Sequence, residues 1–425
     1  MKHTGPRMAT RVHVLSPGQK VPSHPQRPDD GAPGHFRHPD VIRGETGVIR
    51  GETRARPTAA ARAFLALLRV TGLVTGGGWR HLIRALPGFA VGSFGISGVI
   101  STGISMGSAY VGDGQPVVAL AASGFFGLVY VLMWLNVVCS FMWSRCRYGS
   151  QFMMIRRASL QLSELSSSTE PATRLRRNVW WLFGTALSLM LLTIIVNAYY
   201  AIHAITSCPL PSKNCRLVIP FCISFSWFCI TFCLIPLKYV FAALYVQSGY
   251  LETNAKLEAI VEGRYKPDAV AVYNMISVHG DLSRAFSRLT KIMSLELLLV
   301  MANGTIACVD MILIVISSLK LGTFVNMVQM TVLYLVMALV TMVLPSEATQ
   351  RCLEEAGETR DLLLAAELRQ PQLGPQLGLF RGALGRDLDT LGDLGLFRLR
   401  RSTILSISAT ILTNFVIMLQ FYLTS

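Results

Sequence analysis

Seven apolar runs, each long enough to cross a bilayer once wound into a helix, constrain this chain more than any other feature. They are Ala85 to Met106, Val117 to Trp143, Val179 to Ile205, Leu217 to Leu237, Met293 to Leu319, Thr323 to Leu344 and Thr403 to Leu423. The first is the weakest, since it carries several glycines and a proline. With 52% hydrophobic and only 15% charged residues among 425, the chain cannot hide these runs beneath an ordinary soluble surface. In hydrocarbon each backbone polar group must be satisfied within its own segment, so runs of this length predict helices. The expected fold is all-α, a polytopic membrane protein with seven transmembrane helices.

Orientation follows from the basic residues between the runs. The tail before Ala85 holds 14 Lys and Arg, the loop after Trp143 holds 7, residues Gln247 to Ile292 hold 6 and the segment before Thr403 holds 8. The three alternate loops hold 0, 2 and 1, so 35 basic residues lie on one side and 3 on the other, with Lys238 at a span edge. The positive-inside rule then places the amino terminus in the cytoplasm and the carboxyl terminus outside, in a multi-pass protein of the plasma membrane. The net charge of +15 has the same origin. It suits a basic rim against anionic membrane lipid, and no nucleic-acid partner is expected.

Residues 1–58 are polar, basic and proline-rich, with VIRGET at Val41 to Thr46 repeated at Val48 to Thr53. They read as a disordered tail rather than a cleavable signal. Residues 59–84 open on a short, mildly amphipathic segment suited to the inner membrane interface. The membrane-spanning body would be 85–425, with helical extensions into the cytoplasm at 247–292 and 345–402. None of the nine cysteines has C-x-x-C spacing, so neither metal nor cofactor is expected. Cys208 and Cys215 flank a short outside loop, either as a disulfide or as two free thiols.

Polar residues inside the runs are the candidate functional groups. Glu296, Asn303, Asp310 and Ser317 follow one another at intervals of seven, along one slowly drifting helix face. A carboxylate at that depth costs several kcal/mol unless paired or wetted. Asp310 lies in the outer half, as do Asn197, Tyr200, His203, Trp227, Asn326 and Gln329 on other spans. Aromatic faces beside amides and a carboxylate suit a polyhydroxylated or cationic small molecule; they equally suit interhelical hydrogen bonds and an interfacial aromatic belt. In the last run Thr403, Ser406, Thr410, Thr413, Ile417 and Gln420 recur at steps of three and four. That line either faces a water-filled pore, with Ile417, Gln420 or Phe421 as an outer constriction, or eases close helix packing.

The same helix resembles the last span of the insect and arthropod gustatory receptors, whose signature is a Thr-Tyr pair, five hydrophobic residues and Gln-Phe. Here Thr413-Asn414 is followed by Phe415 to Leu419 and then Gln420-Phe421; only the tyrosine differs, replaced by Asn414. Gly395-Leu396-Phe397 ahead of the span is similar too. The resemblance implies a homo- or hetero-tetrameric, non-selective cation channel opened by an extracellular small-molecule tastant. Thr413 then belongs to the pore helix, and Gln420 and Phe421 are candidate gate residues.

Three rivals differ in what they require. A receptor coupled to G proteins needs its amino terminus outside, which puts the basic residues on the wrong face. A transporter or membrane enzyme would use the carboxylates of span five, but H-E-x-x-H is missing and the paired halves of a transporter are not apparent; the expectation is not an enzyme. The odorant receptors share the inverted seven-span plan and lie closest.

Overall fold

The structure, a computed structural model, describes residues 58–74, 116–165, 170–207, 215–321 and 324–424, and every regular element among them is a helix. The tail, the first apolar run and residues 208–214 of the loop between Cys208 and Cys215 lie outside the described residues. Thr58 starts the first helix, α1 (Ala59–Val70): its hydroxyl accepts the Ala61 N–H at 3.2 Å and caps an otherwise unpaired donor. Ala60, Ala61, Phe64 and Leu68 form the buried stripe of α1, and the Phe64 ring lies 4.9 Å from that of Phe241.

The second apolar run forms α2 (Pro116–Cys139), which passes through a π-helical turn at Ser140–Ser144 into α3 (Arg145–Leu165). Hydropathy marks only the apolar part of this rod, so much of the basic stretch read as a loop after Trp143 is helix. Next come α4 (Glu170–Ser207), α5 (Cys215–Val261), α6 (Ala269–Leu321) and α7 (Phe324–Arg369). A 3-10 turn at Pro371–Leu373 leads into α8 (Gly374–Thr390), and α9 (Arg401–Thr424) closes the chain.

Helices of 47, 53 and 46 residues for α5, α6 and α7 are roughly 70–80 Å long, more than twice the thickness of bilayer hydrocarbon. Each therefore carries an apolar part and a polar extension. Among the described residues, four helical stretches, Gly127–Glu164, Glu170–Tyr199, Cys222–Val261 and Ala269–Ile312, are long and apolar enough to cross a membrane.

Helix α5 is the axis of the bundle. It packs against α3, α4, α6 and α7, and every residue from Phe228 to Tyr250 is buried. Around it, α4 shows why the solvent must be apolar. Val179, Leu182, Ala186, Leu189, Thr193 and Asn197 form its buried stripe, while Trp181, Leu187, Leu191, Ile195 and Ile202 project outward and are all more than half exposed. A helix apolar on both faces belongs in lipid.

Beyond the apolar spans, the extensions of α5 and α7 are joined by polar contacts. Asn254 Nδ2 donates to the Glu355 carbonyl at 3.2 Å, Thr359 donates to Asn254 Oδ1 at 2.5 Å, and the Cys352 thiol donates to the Ala243 carbonyl at 3.3 Å. His279 of α6 is buried edge-on between Tyr250 of α5 and Phe380 of α8, with both centroid distances 4.9 Å.

Candidate functional site

The start of α9 is held by a tight turn and a charge clamp. Gly392 adopts φ 72°, where a Cβ would run into Thr349 Cγ2 and sit 3.3 Å from the Leu399 carbonyl oxygen, so glycine is required there. The turn closes with Leu399 N–H donating to the Gly392 carbonyl at 2.8 Å and Leu394 N–H to the Phe397 carbonyl at 3.1 Å. Gly395-Leu396-Phe397 thus forms the bend that feeds α9. Arg401, its first residue, donates through Nε and Nη2 to the two carboxylate oxygens of Glu347 and through Nη1 to Glu354, each at 2.8 Å. These bonds from Arg401 hold the Glu347 carboxyl down at about 2. The contact fixes α9 to the polar extension of α7.

Beyond this anchor α9 packs against α6 and α7 but stays largely open. Thr410, Thr413, Ile417 and Gln420 are all exposed on the single chain. Thr410 Oγ1 donates to the Ser406 carbonyl at 3.0 Å and Thr413 Oγ1 to the Ala409 carbonyl at 2.9 Å. Each hydroxyl is satisfied by its own helix, so the face offers acceptor lone pairs without stranding a donor, a chemistry tolerable to a hydrated cation or to a neighbouring helix. The side chain of Phe421 lies outside the described residues.

Of the outer-half polar group, three side chains are described. Asn197 is buried on α4, where its Nδ2 donates to the Thr193 carbonyl at 2.8 Å. Thr193 also reaches Met337 Sδ of α7 at 3.8 Å. Trp227 on α5 is partly buried. Asp310 on α6 is buried, and its Oδ1 has no hydrogen-bond partner among the described residues. No hydrogen bond or ring contact joins these three among the described residues. The side chains of Tyr200, His203, Asn326 and Gln329 lie outside them.

A second polar centre was only half legible in the sequence. Lys238 of α5, completely buried, makes a charge contact with Glu296 of α6 at 2.8 Å. Its ammonium also donates to Ser140 Oγ at 2.8 Å and Ser144 Oγ at 2.6 Å, the two ends of the π-helical turn. The turn brings both hydroxyls onto one cation, and Tyr148 OH donates to the Lys238 carbonyl at 2.6 Å. The Glu296 contact is an ion pair through Oε2, and Glu296 Oε1 has no donor among the described residues. Lys238 standing alone at a span edge, at the depth of a lone Glu296, was the available signal. Among the described residues no three His, Cys, Asp or Glu cluster to hold a metal ion.

The family described as "7tm Chemosensory receptor" matches residues 62–425. No curated protein matches the chain. Among solved structures, the insect olfactory receptor OR5 from Machilis hrabei is similar in fold, with TM-score 0.61 and 12% identity over 85% of this chain and 97% of that one. The same receptor in complex with eugenol gives TM-score 0.60 at the same identity and coverage.

Proposed function

This chain belongs to the 7tm chemosensory receptor family, and on that premise we propose that it is a gustatory-type subunit of a ligand-gated, non-selective cation channel. The observation that carries the proposal is α9: a line of Thr410, Thr413, Ile417 and Gln420 left exposed on a single chain whose base is clamped by Arg401. An exposed polar line on an otherwise apolar helix is best satisfied where copies of α9 surround a shared aqueous path. Four subunits, alike or mixed with other gustatory subunits, would place Gln420 and Phe421 at its outer constriction. The carboxyl-terminal signature supports the gustatory assignment, and the basic loops support a plasma-membrane protein with a cytoplasmic amino terminus.

The stimulus is an extracellular small molecule. Its pocket lies in the outer half of the subunit and includes Asn197, Tyr200, His203, Trp227, Asp310, Asn326 and Gln329. Asp310 gives that pocket a carboxylate acceptor, which favours hydroxyl-rich or cationic ligands over purely apolar ones. An odorant-type channel is the second reading, favoured by the likeness to an olfactory receptor that has been solved with eugenol bound.

The test is whole-cell current from cells expressing this chain, alone and with other gustatory subunits, during a panel of sugars, bitter compounds, amines and volatile phenols. Sugar-, bitter- or amine-evoked cation current with G-protein signalling blocked supports the gustatory reading. Current evoked only by the volatiles supports the odorant one. Confirmed surface expression with no current to any stimulus, in either arrangement, refutes both.

A further inference from the structure

The Lys238–Glu296 pair is the inner end of a longer polar seam. Helices α5 and α6 are joined by a short turn and pack antiparallel: Lys238 meets Glu296, Tyr239 meets Phe286, and Tyr250 meets His279. Seven residues outward from the ion pair on each helix stand Thr231 and Asn303, and seven further stand Ser224 and Asp310. Seven residues advance an α-helix by about 10.5 Å and nearly two full turns, so the three pairs form rungs on one face. Helix α2 runs parallel to α5 in a fixed register, since Tyr130 packs on Phe225 and Ser144 bonds to Lys238. That register puts Asn136 of α2 level with Thr231 and Asn303, one turn outward of Ser140.

All of these side chains are buried, and donors and acceptors do not balance along them. The ammonium of Lys238 is taken up by Ser140, Ser144 and the ion pair with Glu296, and the Thr231 hydroxyl donates to the Trp227 carbonyl at 2.8 Å. Both Glu296 carboxylate oxygens, Asn136 Oδ1, Asn303 Oδ1 and Asp310 Oδ1 have no hydrogen-bond donor among the described residues, and the only idle donor beside them among those residues is Asn136 Nδ2. Buried acceptors left unpaired are costly, the more so in hydrocarbon, so a seam with this many calls for donors from outside the protein. Charge is unbalanced as well. Lys238 neutralises Glu296, whereas no cation pairs with Asp310 among the described residues.

We infer that the seam between α2, α5 and α6 binds a hydrated monovalent metal cation between Asp310 and the next rung inward, with the water shell of the ion donating to Asn303 and Asn136. One ion meets both deficits: its charge offsets the carboxylate, and its polarised waters supply the missing donors. Oxygen-only groups carrying one uncompensated negative charge suit sodium or potassium rather than a divalent or transition metal. This site shares Asp310 with the proposed tastant pocket, so it is tested without tastant; it is separate from the proposed conduction path along α9 and does not depend on the chain being a channel.

The test is the melting temperature of the full-length protein in lipid nanodiscs, without tastant, as sodium chloride replaces N-methyl-D-glucamine chloride at constant ionic strength. Sodium raises the wild-type midpoint saturably, by about 2 °C or more once the site is filled. Asp310→Asn abolishes the rise. Asn303→Leu, an apolar replacement of similar size that keeps the fold even if the first variant fails to, shrinks it by at least half. A wild-type midpoint indifferent to sodium and potassium, an equal rise in N-methyl-D-glucamine, or an undiminished rise in both variants overturns the inference.

Discussion

Lys238→Met tests whether α2, α5 and α6 are registered by one buried charge cluster. The lysine is fully buried and Glu296 is 1% exposed. Methionine matches most of the aliphatic stem, so little packing is lost, and the two serines can return their hydroxyls to carbonyls of their own helix. The cost falls on Glu296, left charged without a counter-ion, and removing one partner of such a pair destabilises by about 3–5 kcal/mol. In a chain of this size that lowers the melting midpoint by roughly 3–6 °C. Replacing both partners, Lys238→Met with Glu296→Leu, removes the stranded charge and recovers most of the loss, since apolar replacement of a whole buried pair is often neutral. Thermal unfolding of the three proteins in nanodiscs, followed by tryptophan fluorescence, measures this. A single variant as stable as wild type, or a double variant no better than the single, refutes the reasoning.

Burial pushes His279 down to about 4 in the folded state, whereas the unfolded imidazole titrates near its ordinary value of about 6.5. The stability held by its neutral form is therefore complete above about pH 6.5 and falls by about 3 kcal/mol as pH drops to 4; His279→Phe flattens that slope in a pH series of melts. Gly392→Ala forces a side chain into a left-handed turn against Thr349 and costs about 1–3 kcal/mol, read as lower thermal stability and reduced surface expression. Asp310→Asn shifts the tastant dose response to higher concentration with surface labelling unchanged; an unaltered curve removes Asp310 from the pocket. Gln420→Ala and Phe421→Ala change resting leak or relative cation permeability, and untouched currents in both exclude α9 from the pore.

The helical class was legible because runs such as Val179 to Ile205 are apolar far longer than a soluble core helix needs. What hydropathy could not show is helix that continues once the chain turns polar. Arg145–Leu165 carries Arg145, Arg147, Arg156 and Arg157 and reads as a loop, yet it extends α2 with Tyr148, Phe152, Ile155 and Leu162 buried against the bundle. The π-helical turn at Ser140–Ser144 leaves no local trace either, because it serves a lysine nearly one hundred residues away. The interval of seven from Glu296 to Asp310 did reveal a polar face. Its partner Lys238 is set by the packing of α5 on α6, which no local pattern encodes. The exposed polar line of α9 was visible as spacing, but the Arg401 clamp on Glu347 and Glu354 joins two segments separated by a whole helix and a turn.

Whether this chain itself conducts is tested most directly by recording from the purified protein in planar lipid bilayers, with the tastant panel added on the face opposite the basic loops. Discrete unitary currents carried by both sodium and potassium, opened by a ligand and altered by Gln420→Ala, are the predicted result. Protein that reconstitutes as folded oligomers yet passes no unitary current with any ligand, alone or with co-purified gustatory subunits, contradicts a channel built on α9.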